Sequence, residues 1–341
     1  MGAAEQVRNI IMDIPQNQII AASDLKRNML SDVTDACFYK TLERMTQQGS
    51  LVHLTKGLYY RPMLENNSLI PMKEETIVDY YISDSAGTMI GEGLYVERGI
   101  SRGLEKRMVF ISNRLTEAKK HVASIEVHGT DMQLDDSTIA SIQMLELLQN
   151  YNKVSDVDKY KFVDVLHDFA EEYSDEATAY VLRNRKYKKS TIAFLARILD
   201  WYGISHSLRE HLSTLSNYKI PCIDELKLEI PEHVVSVLDH YVQGIRAICK
   251  GELERVILYG SYAKGNYGSN SDIDIMILVK KDEKDLYQEN DAISDLTYDF
   301  NIEYELDIKP VVQSADTFSK WVGVYPFYKN ISAEGVILHG V

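Results

Sequence analysis

The sequence predicts a multidomain α+β protein with helical and mixed α/β regions. Three observations support this fold class. The chain has 341 residues, enough for two or three domains of about 100–200 residues each. Its first 63 residues have the pattern of short helices followed by a strand, a turn and a strand. In the last third of the chain, two apolar, strand-like segments flank a turn that contains glycine and serine.

The composition limits the kind of protein this chain can be. Hydrophobic residues make up 45% and charged residues 26%, which is typical of a globular protein and excludes collagen, coiled coils and disorder. No apolar run approaches the roughly 18 residues of a membrane-spanning helix. Three widely spaced cysteines, without a Cys-x-x-Cys pair, predict a reduced, cytoplasmic protein. The net charge of −14 disfavours a protein coated in nucleic acid.

Residues 1–63 are predicted to form three helices and a β-hairpin. Apolar residues recur at helical spacing in three short segments, and Thr34 is a candidate N-cap for the third. Gly49 would end that helix, and Gly57 lies in the turn between the two strands. This order is that of a winged helix-turn-helix, whose third helix enters the DNA major groove.

The charge of this segment differs from that of the remainder. It carries seven Lys or Arg and six Asp or Glu, a net +1, so the rest of the chain carries −15. The asymmetry favours a separate partner, and operator DNA is one candidate. A net charge of +1 neutralises few phosphates, so a winged helix that contacts only protein fits as well. The candidate DNA contacts are Tyr39, Lys40, Arg44 and Lys56.

The remainder is predicted to contain three further regions. Residues 64–150 carry short β-rich segments between glycines and one amphipathic helix, which predicts an α/β region. Residues 151–220 are predicted to be helical, with Phe162 and Leu166 on one buried stripe. Residues 221–341 form the predicted C-terminal domain.

A turn in the C-terminal domain has the features of a phosphate-binding site. The apolar segment 255–259 leads directly into Gly260 and Ser261. Glycine lets the backbone turn sharply and approach an anion closely. Ser261 would open a short helix and offer a hydroxyl beside free backbone N–H groups, which together favour phosphate.

A pair of acids follows this turn at the start of the next apolar segment. Asp272 and Asp274 are two residues apart, so on a strand both side chains lie on one face. Two carboxylates on one face repel each other unless a cation lies between them. Beside a phosphate site they predict a Mg²⁺ site.

A third acid is expected on a neighbouring strand. Segment 301–309 alternates polar and apolar residues, which predicts a half-buried strand with Glu303, Glu305, Asp307 and Lys309 on one face. Three acids can hold two metal ions roughly 3.5–4 Å apart, an arrangement that activates an attacking hydroxyl and stabilises a leaving group. Either Glu305 or Asp307 can supply the third carboxylate.

The turn and the acid pair together resemble the signature of polymerase-beta-like nucleotidyltransferases. The resemblance is strongest to the minimal nucleotidyltransferases of toxin–antitoxin systems. The residues that carry it are Gly260, Ser261, Ser271, Asp272 and Asp274. The family pattern is G-S-x-A-R-G, a short gap, and S-D-x-D. Lys264 stands where the family has arginine. Lysine keeps the positive charge but lacks the bidentate guanidinium, which weakens its expected contact with a triphosphate.

The resemblance implies a nucleotidyltransferase fold, with a mixed sheet flanked by helices. It implies transfer of a nucleoside monophosphate from a nucleoside triphosphate, with Mg²⁺ or Mn²⁺, to a hydroxyl on a protein, a tRNA or a small molecule. The residues implied to bind the triphosphate are Gly260, Ser261, Lys264 and Ser271. The residues implied to hold metal and act in catalysis are Asp272, Asp274 and Asp307.

The first 150 residues or so, which include the α/β region 64–150, resemble the winged-helix antitoxins of abortive-infection systems of the AbiEi type. The resemblance rests on Gly49 after the third helix and on the hairpin sequence Lys56-Gly57-Leu58-Tyr59. It implies a toxin–antitoxin or phage-defence setting, with a toxin protein or tRNA as a partner and with the toxin or antitoxin role open. The alternative is a non-catalytic DNA-binding regulator whose C-terminal domain binds a nucleotide or a partner.

Overall fold

The computed structural model describes residues 2–65, 68–103 and 108–340. Its contacts divide the chain into two compact units. The first unit comprises Met1–Arg98, Arg102–Val154 and Glu176–Lys186, and the second comprises Gly99–Ser101, Ser155–Asp175 and Tyr187–Val341. The sequence-based division at residues 63, 150 and 220 stays a prediction.

The described residues contain fourteen α-helices and thirteen strands. The helices are α1 (Ala3–Asp13), α2 (Ala22–Met29), α3 (Asp35–Gln47), α4 (Glu74–Ile82), α5 (Gly93–Glu97), α6 (Asp136–Asn150), α7 (Lys159–Glu171), α8 (Asp175–Asn184), α9 (Lys189–Tyr202), α10 (Glu232–Cys249), α11 (Gly260–Lys264), α12 (Tyr287–Tyr304), α13 (Ala315–Trp321) and α14 (Pro326–Glu334). The strands are β1 (Ile19–Ala21), β2 (Val52–Thr55), β3 (Leu58–Tyr60), β4 (Met63–Glu65), β5 (Ser68–Ile70), β6 (Gly87–Ile90), β7 (Val109–Ser112), β8 (Lys119–Val122), β9 (Ile125–Gly129), β10 (Leu253–Tyr259), β11 (Ile273–Val279), β12 (Ile308–Ser314) and β13 (Val336–His339). None of the helices in the described ranges is long and apolar enough to span a bilayer.

The N-terminal part of the first unit contains three helices and a small antiparallel sheet. Val7, Phe38 and Leu42 are fully buried between the helices, as their helical spacing predicts. Thr34 accepts a hydrogen bond from the backbone N–H of Cys37, which caps α3. The hairpin β2–β3 turns at Gly57, where φ is +80°, and β1 adds a third strand beside β3.

The rest of the first unit is built around a mixed sheet with strand order β6-β7-β9-β8. Strands β7 and β9 are parallel, whereas the other neighbours are antiparallel. Phe110 and Val127 on this sheet are buried against Tyr81 of α4. This region therefore has a core that combines helix and sheet residues, as predicted for an α/β region.

The second unit contains a four-stranded mixed sheet with strand order β12-β11-β10-β13. Only the β11–β12 pair is parallel among its three pairings. Ile275 and Ile277 of β11 pack in the core that contains α10 and α12, whereas Met276 and Leu278 pack in the core with α13 and α14. Because strand residues alternate between faces, the even-numbered positions 272 and 274 lie on the α13–α14 side.

The prediction that segment 301–309 forms a strand is wrong. Helix α12 continues to Tyr304, Glu305 takes a left-handed conformation with φ +53°, and β12 begins only at Ile308. The Asn301 side chain closes this turn, because it accepts from the backbone N–H of Ile308 at 2.8 Å and donates to its carbonyl at 3.2 Å. A helix that packs on the sheet through Phe300 thus overrides a short local alternation.

Candidate active site

The turn after β10 brings the backbone against a carboxylate. Tyr259, the last residue of β10, lies opposite Asp274 in the antiparallel pair β10–β11. Gly260 follows with φ +71°, and a Cβ atom built on it would lie 2.0 Å from the Asp274 Oδ2 atom. Glycine is therefore needed for the left-handed backbone and also for the close approach of the Asp274 side chain.

The two predicted metal ligands lie together at the start of β11. Burial, and to a lesser extent the nearby Asp272 charge, together raise the pKa of Asp274 to about 6. The pKa of Tyr259 is also raised, to about 12. Burial is the main cause, and the charges of Asp274 and Asp272 add to it. Partial burial of two like charges is unfavourable without a cation. These residues therefore fit a divalent cation, whose preferred ligands are oxygens.

Asp307 lies beside these acids, directly before the adjacent strand β12. Its carbonyl accepts a hydrogen bond from the backbone N–H of Ile273 at 2.8 Å, and Lys309 lies opposite Asp274 in the parallel pair. The Asp307 carboxylate is 2.7 Å from the Lys309 Nζ atom, and both side chains are 55% exposed. Hydrogen bonding to Asp307 raises the pKa of Lys309. Asp307 therefore lies next to the start of β11, and its carboxylate forms an ion pair with Lys309.

Glu305, the other candidate for the third carboxylate, lies elsewhere. It ends α12 and lines a cavity of about 400 Å³ together with Tyr262 and Tyr267, whose rings stack at 4.1 Å. Tyr262 packs in the core on the α10–α12 side of the sheet, whereas positions 272 and 274 lie on the other side. The tertiary structure therefore favours Asp307 over Glu305 as the third acid.

A second cavity, of about 240 Å³, lies on the glycine–serine side of the site. Ser261 and Lys264 of α11 line it, together with His167 and Glu171 of α7 and Tyr202 of α9. Among the described residues, the buried Ser261 Oγ atom has no hydrogen-bond partner. The Lys264 Nζ atom lies 3.2 Å from the Glu334 carboxylate. An unpartnered hydroxyl and an ammonium beside one cavity fit the oxygens of a phosphate chain.

Ser271, predicted to bind triphosphate, is bonded within its own loop. Its Oγ atom accepts from the backbone N–H of Gly268 at 2.9 Å and lies 3.1 Å from the His167 Nε2 atom. Asp164, also on α7, accepts from the backbone N–H of Ser269 at 2.7 Å. Both α7 residues lie more than 100 positions upstream of the loop, and nothing in their local sequence separates them from an ordinary solvated helix face.

Helix α7 also carries a group of possible metal-binding side chains. One ligand atom each from His167, Asp168 and Glu171 lies within 4.8 Å of the others. The side chains of Asp168 and Glu171 are 73% and 67% exposed. Exposed carboxylates at this spacing are common on helix surfaces, and these three residues are distinct from Asp272 and Asp274.

The raised pKa of Asp274 predicts a stability effect. We expect Asp274→Asn to be more heat-stable than wild type at pH 7.5 in EDTA. The carboxylate titrates near 3.8 when unfolded but near 6 when folded, so the folded state binds its proton more tightly. Wild type therefore loses stability as the pH rises from roughly 4 to above 6, while the uncharged variant does not.

Thermal unfolding of both proteins from pH 4 to 8 measures this difference. The gap should become small near pH 4, where Asp274 is protonated in the folded state and partly protonated in the unfolded state. Asp295→Asn, at an exposed position of α12, is the control and should follow wild type throughout. A gap that is constant with pH would contradict the prediction.

The predicted DNA contacts lie on the surface of the first unit. Tyr39 is 48% exposed, and Lys40 and Arg44 are exposed four residues apart, on one side of α3. Lys56 is exposed in the β2–β3 turn, with its Nζ atom 4.0 Å from the Glu117 carboxylate. The helix and the hairpin thus both present cationic side chains to solvent.

Comparison with known proteins is most informative for the second unit. Residues 243–322 match the family described as "Polymerase beta, Nucleotidyltransferase". The chain is 34% identical over 79 residues to the "Putative protein adenylyltransferase MJ0141" of Methanocaldococcus jannaschii, covering 23% of this chain and 78% of that protein. It is 30% identical over 102 residues to the "Putative protein adenylyltransferase MJ0604" of the same organism, covering 30% of this chain and 94% of that protein.

A solved structure entitled "Crystal structure of the toxin-antitoxin with AMP-PNP" overlaps 30% of this chain and 73% of its own. The identity is 20% and the TM-score 0.20, too low to carry a structural argument. The family match at residues 243–322 contains the Gly260 turn, Asp272, Asp274 and Asp307.

Proposed function

Because this chain belongs to the polymerase beta nucleotidyltransferase family, we propose that its second unit transfers adenylate from ATP to a hydroxyl group of a protein and releases pyrophosphate. One observation carries the proposal. The left-handed Gly260 turn lies directly against the half-buried Asp274 carboxylate and leads into Ser261, whose buried hydroxyl has no partner among the described residues. The names of the two Methanocaldococcus relatives favour ATP as donor and protein as acceptor, with tRNA and small molecules as the other candidates.

Asp272, Asp274 and Asp307 are the residues that would hold Mg²⁺ or Mn²⁺. When bound, such an ion neutralises phosphate charge and lowers the pKa of a coordinated hydroxyl. Ser261 and Lys264 bind oxygens of the triphosphate from the side of the 240 Å³ cavity. Asp307, which lies directly before β12 beside the start of β11, accepts the proton of the acceptor hydroxyl. Catalysis then depends mainly on positioning and electrostatic stabilisation.

Nucleotide labelling tests the proposal directly. Wild-type protein is incubated with Mg²⁺, a cell lysate and ATP labelled at either the α or the γ phosphate. We expect protease-sensitive label from the α-labelled ATP, no label from the γ-labelled ATP, and none in EDTA. GTP, CTP and UTP labelled at the α position test the choice of base. If no nucleotide yields label above the EDTA background, the proposal is wrong.

The first 63 residues support a second, separate proposal. Their three helices and three-stranded sheet follow the order of a winged helix-turn-helix, with exposed cations on α3 and on the hairpin. We propose that this part binds operator DNA, with α3 in the major groove and the hairpin on the phosphate backbone. Together with the transferase site, this suggests a toxin–antitoxin or phage-defence system in which a toxin protein is the acceptor.

Salt-dependent binding tests the DNA proposal. We expect Lys40→Ala and Arg44→Ala each to weaken binding to the promoter region of its own gene, since each removes one phosphate-neutralising charge. Each variant should flatten the plot of log K against log salt by about 0.9. Fluorescence anisotropy at several KCl concentrations measures both effects. Lys73→Ala, an exposed lysine outside α3 and the hairpin, is the control. If wild type does not bind at low salt, the proposal fails and only the enzymatic one remains.

A further inference from the structure

The loop between the two halves of the nucleotidyltransferase motif is fastened to α7. Asp164 accepts from the backbone N–H of Ser269 at 2.7 Å. One turn further along the helix, the His167 Nε2 atom lies 3.1 Å from the Ser271 Oγ atom, which in turn accepts from the backbone N–H of Gly268. Two consecutive turns of one helix thus hold both ends of a short loop.

Close packing accompanies these hydrogen bonds. A Cβ atom on Gly268 would lie 2.9 Å from the His167 Nδ1 atom and 3.2 Å from the Asp164 Oδ1 atom. The loop backbone therefore lies directly against both side chains, with no room for a larger residue at this position. The His167 side chain is only 15% exposed.

The loop leads without interruption into the predicted metal ligands. Asp272 follows Ser271 directly, and Ile273 begins β11. Upstream, the fully covered Asn266 side chain donates to the carbonyl of Trp201 on α9 at 3.2 Å. The whole segment from α11 to Asp272 is thus positioned by α7 and α9, which lie outside the family match at residues 243–322.

We propose that Asp164 and His167 are positioning residues for the transfer reaction, and this inference rests on the proposed function. They fix the loop so that Asp272 enters β11 on the same face as Asp274. Asp164 does not line the 240 Å³ cavity, whereas His167 does, so the Asp164 variants test positioning apart from nucleotide contact. Loss of the contacts would leave the two acids in place along the chain but let Asp272 shift relative to Asp274. A shift of about 1 Å at a reacting site can cost about 100-fold in rate.

Paired substitutions separate this role from general stability. Phenylalanine at position 167 keeps a ring against Gly268 but removes the hydrogen bond, whereas glutamine can still bond Ser271. Alanine at position 164 removes the acceptor for Ser269, whereas asparagine keeps one. Glu172→Ala changes an exposed acid at the C-terminal end of the same helix and is the control.

The readout is the maximal rate of label transfer from α-labelled ATP, with its apparent KM, at fixed lysate and saturating Mg²⁺. We expect His167→Phe and Asp164→Ala to lower the maximal rate about 10- to 100-fold. For Asp164→Ala the KM for ATP should change by less than about threefold, because Asp164 does not line the cavity that contains Ser261 and Lys264. Asp164→Asn and Glu172→Ala should stay close to wild type in rate and in melting temperature, and His167→Gln should lose less rate than His167→Phe.

A second test uses the packing against Gly268. We expect Gly268→Ala to lower the rate, because its Cβ atom would collide with the His167 ring. Adding His167→Ala to Gly268→Ala should cause little further loss, since the collision and the bond belong to the same contact. Independent roles would instead multiply the two losses.

The outcomes distinguish the two levels of proposal. If wild type transfers label while His167→Phe and Asp164→Ala do so at the same rate, the positioning role is overturned and the proposed function stands. If His167→Phe and His167→Gln both lose transfer rate and melting temperature together, His167 has only a structural role and the inference is again overturned. If wild type itself transfers no label, the proposed function fails.

Discussion

Asp272→Asn and Asp274→Asn should each lower the rate of nucleotide transfer by at least about 1,000-fold. Asparagine keeps the shape of the side chain but removes the negative charge that would hold a divalent cation. The pair lies on one face at the start of β11, where burial and mutual repulsion raise the pKa of Asp274. Loss of one ligand charge therefore removes the site for both the cation and the triphosphate that it would neutralise.

The double variant shows whether the two acids act as one unit. Residues of one catalytic group are strongly non-additive, so the double variant should be little worse than either single one. Transfer of label from α-labelled ATP measures all three proteins, and Asp295→Asn is the charge-matched control. Because Asp274→Asn should also raise the melting temperature, unfolding cannot explain its loss of activity. Label transfer at the wild-type rate by either single variant would remove these acids from the mechanism.

Gly260→Ala should give the second-largest effect, a loss of about 100-fold or more in transfer rate. Alanine disfavours the observed φ of +71° by roughly 1–2 kcal/mol. Its Cβ atom would also lie 2.0 Å from the Asp274 Oδ2 atom, so the carboxylate must move. A single methyl group thus disturbs both the turn that carries Ser261 and the metal-binding side chain.

Gly251→Ala provides the matched control, because a Cβ atom there meets nothing within 4 Å. Both variants can be compared by thermal unfolding and by the affinity for Mn²⁺. Gly260→Ala should lose Mn²⁺ affinity while remaining folded, and Gly251→Ala should match wild type in both measurements. An active Gly260→Ala protein would show that Asp274 does not need its observed position.

Much of the candidate site could be predicted from local sequence. The positions of Gly260 and Ser261 after an apolar strand, and the two-residue spacing of Asp272 and Asp274, follow from turn chemistry and strand periodicity. The capped third helix and the Gly57 hairpin follow from rules of the same kind. These features depend on residues a few positions apart, so a linear pattern is sufficient to find them.

Segment 301–309 could not be predicted this way. Its short polar–apolar alternation fits a strand as well as the last turns of a helix. Residues up to Tyr304 are helical because Phe300 packs on the sheet and because the Asn301 hydrogen bonds close the turn that follows. As a result, the choice between Glu305 and Asp307 as third acid also depended on the tertiary structure.

The sequence by itself determined the chemistry of this protein, because the glycine turn and the paired acids lie within 15 residues of one another. Only the tertiary structure decided which residues hold the loop between the glycine turn and the paired acids in position. Asp164 and His167 contact the loop across about 104 intervening positions. Contacts at that separation form only when the whole unit packs, and they leave no periodic signal in the chain.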